Sequence, residues 1–364
     1  MKESDAPTGY YYLLDALRGI AAFAVVGYHL GHWLGASGIA PNGNLAVDLF
    51  YALSGLVLSS AYRGRVETLS TGAFLAQRVA RLLPMIVLGV LVSAAYIVLR
   101  AWLADARSHV ADAGLPVPEL VTAIILGSLN LPYFGAPRAI GGPELFPLNG
   151  PQYTLFFEVF VNVLWWQVRS LHSRMLFLAA CAICLPLVMM FGLGGANIEN
   201  FLSGFPRVIL CFSIGVLIFE YRDILLSRTQ TRLGFGIASL TAAYIALVAP
   251  PVSAASHIAF ILLVTPALLF FGMRIELTGR WRQAADVLGR ISYPVYILHY
   301  PFFCWINGLY RIAFGDKNIL IQGPIVLLCV AAGAYLAHRL FERPASAWLR
   351  AILSRRPARD LRRA

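Results

Sequence analysis

The sequence predicts an all-α fold: a polytopic transmembrane helical bundle of about ten crossings plus one short re-entrant or surface helix. Three observations carry the prediction. Of 364 residues, 59% are apolar and only 13% are charged, against about 25% charged in an ordinary soluble domain, so the chain lacks the charge to cover a water-facing surface. Apolar residues gather in runs of about twenty, the length that crosses roughly 30 Å of hydrocarbon as a helix. These runs are apolar on every face and do not alternate as barrel strands do. Together the three exclude a soluble globular protein, a disordered chain and a disulfide scaffold.

The elements follow in order. The first run, 14–34, contains Arg18 and His29. It is too long for a signal-peptide core and lacks a small-residue cleavage site, so it is read as a retained span. The second, 45–62, opens with Asn44-Leu-Ala-Val-Asp48, and the third, 82–101, is preceded by Arg78 and Arg81. The run Leu120–Leu131 is only about a dozen residues, short for a span. The fourth crossing, 152–168, starts at Gln152 and holds Glu158 and Asn162. Runs at 175–194, 203–220, 234–252 and 256–273 follow. The ninth, 291–310, contains Pro294 and Pro301, and the last is 320–340. All five cysteines (181, 184, 211, 304, 329) fall inside these runs, where thiols act as small buried hydrophobes; Cys181 and Cys184 have no second pair, so neither a disulfide nor a metal is expected. Residues 1–350 read as one integral membrane domain and 351–364 as a basic tail.

Orientation follows from the basic loops, which favour the cytoplasmic side. The loop Gly35–Asn44 is uncharged, whereas Ala61–Arg81 holds Arg63, Arg65, Arg78 and Arg81. If Leu120–Leu131 does not cross, the Arg-bearing segments 169–174, 221–233 and 274–290 and the tail all lie inside with both termini. If it crosses, those three segments lie outside. The non-crossing choice is adopted, with Ala101–Pro151 as a long external segment. The net charge of +11 is then explained by topology and anionic lipid, with no need for nucleic acid.

An ionisable group within a span is a functional-site hypothesis by default. Arg18 and His29 are eleven residues apart, three turns plus about 20°, so they share a face and lie about 16 Å apart. Arg18 reads either as a functional cation or as a snorkelling anchor. His29, in the outer half, reads either as a base or as a polar packing residue. Asp48 is placed at the depth of His29 and is expected to orient it; the alternative is a carboxylate favoured by a helix N-terminus. Ser54 is one and a half turns deeper. Glu158 and Asn162 share a face at i and i+4, and His29, Asp48 and Glu158 are expected to form one enclosed polar site. Arg78 and Arg81 also share a face, suited to phosphate or to simple anchoring. His299, between two prolines, lines a substrate path or caps carbonyls freed by Pro301.

Taken together, the segments LDALRGIAAFAVVGYHLGHW, AVDLFYALSGLVL, FLAQRVARLLP, PLNGPQYTLFFEVFVNVLWW, ISYPVYILHYP and FERPASAWL resemble, in order, the motifs of the acyltransferase family 3 membrane proteins. The resemblance covers about residues 12–350. It implies transfer of an acyl group, usually acetyl, from cytoplasmic acyl-CoA (acetyl-CoA as co-substrate, no permanently bound cofactor) to a hydroxyl presented outside, on a glycan, lipid-linked sugar or small molecule. It also implies residence in the bacterial cytoplasmic (inner) membrane. His29 is then the candidate base with Asp48 and Glu158 as partners. Arg18, Arg78 and Arg81 are expected to bind the donor, and Ser54, Asn162, Tyr296 and His299 to line the substrate path. The sequence departs from the pattern at Ala16, Tyr51, Gln77 and Gln152-Tyr153, which bears on the acceptor more than on the chemistry. No fused extracytoplasmic domain is expected. The competing reading is a proton-coupled transporter or flippase with His29, Asp48 and Glu158 as a relay, disfavoured by the absence of an inverted repeat.

Overall fold

The computed structural model describes residues 10–36, 39–105, 116–137, 140, 144–224, 253–315 and 317–354. Eleven helices are numbered here: α1 Tyr12–Trp33, α2 Leu45–Tyr62, α3 Thr71–Asp105, α4 Val117–Ser128, α5 Tyr153–Gln167, α6 Arg174–Phe191, α7 Gly204–Glu220, α8 Ala254–Arg274, α9 Gly279–Phe314, α10 Ile319–Ala337 and α11 Arg343–Ser354. Among the described residues there is no strand, only an isolated bridge between Glu144 and Asn197. The fold is all-α, and seven described helices are long and apolar enough to cross a membrane. Every expected span except 234–252 falls on one of the eleven helices, although α5 and α9, which hold 152–168 and 291–310, are not among the seven; 234–252 lies outside the described residues, as do residues 1–9 and 355–364. The boundary expected at 350 falls within α11, which runs on to Ser354.

Polar contacts between helix ends establish one common end of the bundle. Tyr62 at the end of α2 donates to Gln77 at the start of α3 at 2.9 Å. Arg174 at the start of α6 donates to the Glu220 carbonyl at the end of α7 at 2.9 Å. The start of α1 lies beside the start of α9, where Arg18 bonds the Gly289 carbonyl at 2.8 Å. At the opposite end, Gln152 before α5 donates to the Gly127 carbonyl of α4 at 2.6 Å. With twelve residues, α4 rises about 18 Å, well short of the hydrocarbon thickness. It packs Leu120 and Ala123 against Val90, Ala94 and Ile97 of α3. It lies beside α3 and near the start of α5, and at this length it is shorter than a full crossing needs.

Two close helix contacts position the site. On the α2–α7 crossing, a Cβ at Gly55 would strike the Phe212 carbonyl and one at Gly215 the Ala52 carbonyl, so only glycine permits this approach. Along α1 and α9, which run parallel, Gly289 lies against the Asp15 side chain and Gly19 against Leu288. Pro301 supplies no N–H to the Ile297 carbonyl four residues earlier. Asn149 takes that carbonyl instead, donating at 3.0 Å, so His299 is not its cap.

Candidate functional site

Helix starts bring arginines to the common end: Arg18 from α1, Arg78 and Arg81 from α3, and Arg290 from α9. They line a cavity of about 1130 Å³ whose lining also includes α11. A second, narrow cavity of about 100 Å³ continues inward between α1, α2, α3, α5 and α9. Arg18, Arg78, Arg81 and Tyr293 line both. The three arginines expected to act together are thus gathered at one junction. Arg18 is turned into the bundle and held there by Ser292 Oγ at 2.9 Å, the Gly289 carbonyl at 2.8 Å and Asp15 at 3.4 Å.

The narrow cavity is lined by Ser54, Thr154, Glu158 and Tyr296 among others. Ser54 Oγ lies 3.1 Å from Glu158 Oε1 and 3.2 Å from Asn162 Oδ1. One hydroxyl proton serves only one of these acceptors. Asn162 Nδ2 is buried without a partner among the described residues, so turning that amide closes a chain from Asn162 through Ser54 to Glu158. The Tyr296 hydroxyl is 2.6 Å from Thr154 Oγ1 and 3.2 Å from the Pro151 carbonyl. Ser54, Asn162, Glu158 and Tyr296 therefore form one neighbourhood, reached from the arginine junction.

His29 lies elsewhere. Its ring stacks on His299 at 5.2 Å and on Trp33 at 4.7 Å. Arg18 and His29 thus both face α9, as their spacing predicts. His299 Nδ1 is 2.6 Å from the Tyr296 carbonyl. A carbonyl only accepts, so Nδ1 carries the hydrogen and, in the neutral ring, Nε2 keeps the lone pair. Nε2 is buried with no partner among the described residues, and the residue is 1% exposed. Neither histidine is among the residues lining the narrow cavity, whose lining on α9 ends at Tyr296, one turn earlier.

The expected pairing of Asp48 with His29 is corrected. Asp48 is fully buried, and its two oxygens are held by Arg207 Nε at 2.6 Å and Nη2 at 3.0 Å; the Cys211 thiol lies 3.6 Å away. The carboxylate's contacts run to α7, whereas the ring of His29 meets Tyr28, Trp33 and His299, so the two side chains are not paired. His29, Asp48 and Glu158 accordingly occupy three separate settings rather than one polar site. Arg207 was absent from the sequence reading, although a lone arginine inside an apolar run signals a buried anion nearby. Ser292, Tyr293 and Thr154 were missed because hydroxyls in apolar runs carry no signal of their own. Among the described residues, no group of three or more His, Cys, Asp or Glu is gathered to hold a metal ion.

Residues 11–339 match a protein family described as an acyltransferase domain. The chain is also similar to the Rhizobium radiobacter protein named "Protein 2 in picA locus", 35% identical over 198 residues, which cover 50% of this chain and 96% of that one. No solved structure matches.

Proposed function

Since the chain belongs to acyltransferase family 3 and is a multi-pass membrane acyltransferase, we propose that it is an O-acyltransferase. In this reading it moves an acyl group, acetyl in the first instance, from acyl-CoA bound at the arginine-lined end to a hydroxyl of a glycan, lipid-linked sugar or small molecule at the other end. The observation that supports this most is the succession of two cavities, a wide one lined by guanidiniums and, beyond it, a narrow one lined mostly by apolar side chains with Ser54, Thr154, Glu158 and Tyr296 among them. Guanidiniums suit phosphate groups, and a pantetheine arm is one chain thick. The arginine-lined end faces the cytoplasm in this reading, in keeping with the bias of basic loops, in a bacterial inner membrane with both termini inside.

The reaction follows from the side chains. His29 takes the acceptor's hydroxyl proton as that oxygen attacks the thioester carbonyl. The C–S bond breaks, the thiolate leaves, and the proton passes to sulfur, giving an ester and free CoA. General-base assistance of this kind is worth about 10²–10⁴-fold. His299, whose Nε2 lone pair has no donor among the described residues, is the second imidazole and accepts a hydrogen bond from a different hydroxyl of the acceptor, since the reacting hydroxyl's one proton goes to His29. Glu158 and Ser54 lie along the thioester's path, and the Thr154–Tyr296 hydroxyl pair marks its inner end, next to the imidazoles. Asp48 serves the fold. A proton relay through His29, Asp48 and Glu158 loses support because Arg207 occupies the middle member.

Membrane vesicles from cells with and without the protein, given acetyl-labelled acetyl-CoA and an envelope glycan and lipid extract, test the reading. Labelled ester and free CoA thiol should form together and only with the protein. Vesicles that release no CoA beyond the control under any extract would remove it.

A further inference from the structure

We propose that α11 forms the donor's outer binding surface, with Arg343 and Arg350 holding the 3′-phosphate of coenzyme A. This rests on the reading that the donor is acyl-CoA.

The order of the cavities supplies the first argument. Arg18, Arg78 and Arg81 line both cavities, whereas Arg290, Arg343 and Arg350 line only the wide one. Coenzyme A has a matching order: thiol and pantetheine, then a diphosphate, then a ribose bearing a 3′-phosphate. With pantetheine in the narrow cavity, the diphosphate falls at the junction arginines and the 3′-phosphate further out, against the arginines that line the wide cavity alone. A nucleotide is too broad for the inner cavity and fits the outer one.

Charge supplies the second. Six arginines line the wide cavity against a single carboxylate, Glu342, which is already bonded to His338 at 2.7 Å. Arg290 is tied to Asp286 at 2.8 Å, and among the described residues Arg350 uses only its Nε, on the Ser346 carbonyl at 3.1 Å. Arg81 and Arg343 have no hydrogen-bond or ion-pair partner among the described residues. This excess of like charge around one space suits a polyanion, and a phosphomonoester brings about −1.5 to −2 at pH 7.

Helix geometry supplies the third. Arg343, Ser346 and Arg350 are spaced i, i+3, i+7, one face of a helix, and all three line the cavity. Trp348, 63% exposed, and Ile352, 44% exposed, lie off that face, as suits a helix resting at a lipid surface. The π-turn His338–Glu342 joins α10 to α11, and such turns recur at functional sites.

Protein in neutral phosphatidylcholine nanodiscs would be titrated with acetyl-CoA and with acetyl-3′-dephospho-CoA. Wild type should prefer acetyl-CoA by about tenfold or more, the size of a charge-assisted contact. The double variant Arg343→Gln/Arg350→Gln should bind both as wild type binds the dephospho form. Arg78→Gln should weaken both equally. Full retention of the preference in the double variant, or no preference in wild type, overturns the proposal. If the double variant differs from wild type only in nanodiscs containing phosphatidylglycerol, these arginines hold a lipid phosphate and the proposal fails. Wild type that binds neither compound removes the acyl-CoA reading itself.

Discussion

Arg207 of α7 grips Asp48 of α2 with two hydrogen bonds, 2.6 Å from Nε and 3.0 Å from Nη2, in a setting where the carboxylate side chain has no exposure. The Gly55–Gly215 crossing brings the two helices close enough for this pair to close. Removing one partner leaves a buried charge uncompensated, at a cost of about 3–5 kcal/mol. Arg207→Met should therefore lower the detergent melting temperature sharply. Asp48→Leu/Arg207→Met should recover most of the loss, because both charges leave together. A double variant that folds as wild type does but has no transferase activity would return Asp48 to the chemistry.

The two imidazoles are separable by their nitrogens. Asn in place of His299 can keep the donor to the Tyr296 carbonyl while lacking a lone pair at the Nε2 position; Gln in place of His29 can still make a packing hydrogen bond but takes no proton. Each variant should lose about 10²–10⁴-fold in turnover with acetyl-CoA affinity unchanged. Near-normal turnover in His29→Gln would make that ring a packing residue and pass the base to His299 or Glu158.

Orientation is checked with a membrane-impermeant maleimide in a cysteine-free background. Ile39→Cys, in the uncharged loop after α1, should label in intact cells. Glu67→Cys, in the arginine-bearing loop after α2, should label only after permeabilisation. The reverse pattern would turn the molecule over and put the arginine-lined end outside.

Glu144 gives a pH prediction. It lies in the connection before α5 with its carboxyl against Gly150, and burial pushes that carboxyl above its ordinary value. A carboxyl raised in the folded state contributes stability at acid pH that is lost as pH rises through its folded value. Glu144→Gln should therefore melt higher than wild type at neutral pH, and the difference should vanish toward pH 4. Parallel melting curves across that range would show that the carboxyl is solvated.

What the sequence determined by itself is local. Apolar length and low charge set the helices, because a bilayer admits only spans that satisfy their own backbone. Helical periodicity put Arg18 and His29 on one face, and both do meet α9, since 3.6 residues per turn needs no tertiary information. The i, i+3 arginines of α3 likewise reach one cavity. What only the tertiary structure decided is which distant residues meet. Asp48 was matched with His29 because both lie near the α1–α2 connection, yet its partner is 159 positions away and becomes its neighbour only through a glycine-permitted helix crossing. Equal depth in the membrane fixes one coordinate of a side chain. The direction it faces around the bundle depends on how the helices pack, and that separates His29, Asp48 and Glu158 into three environments and sets α11 against the arginines of α3.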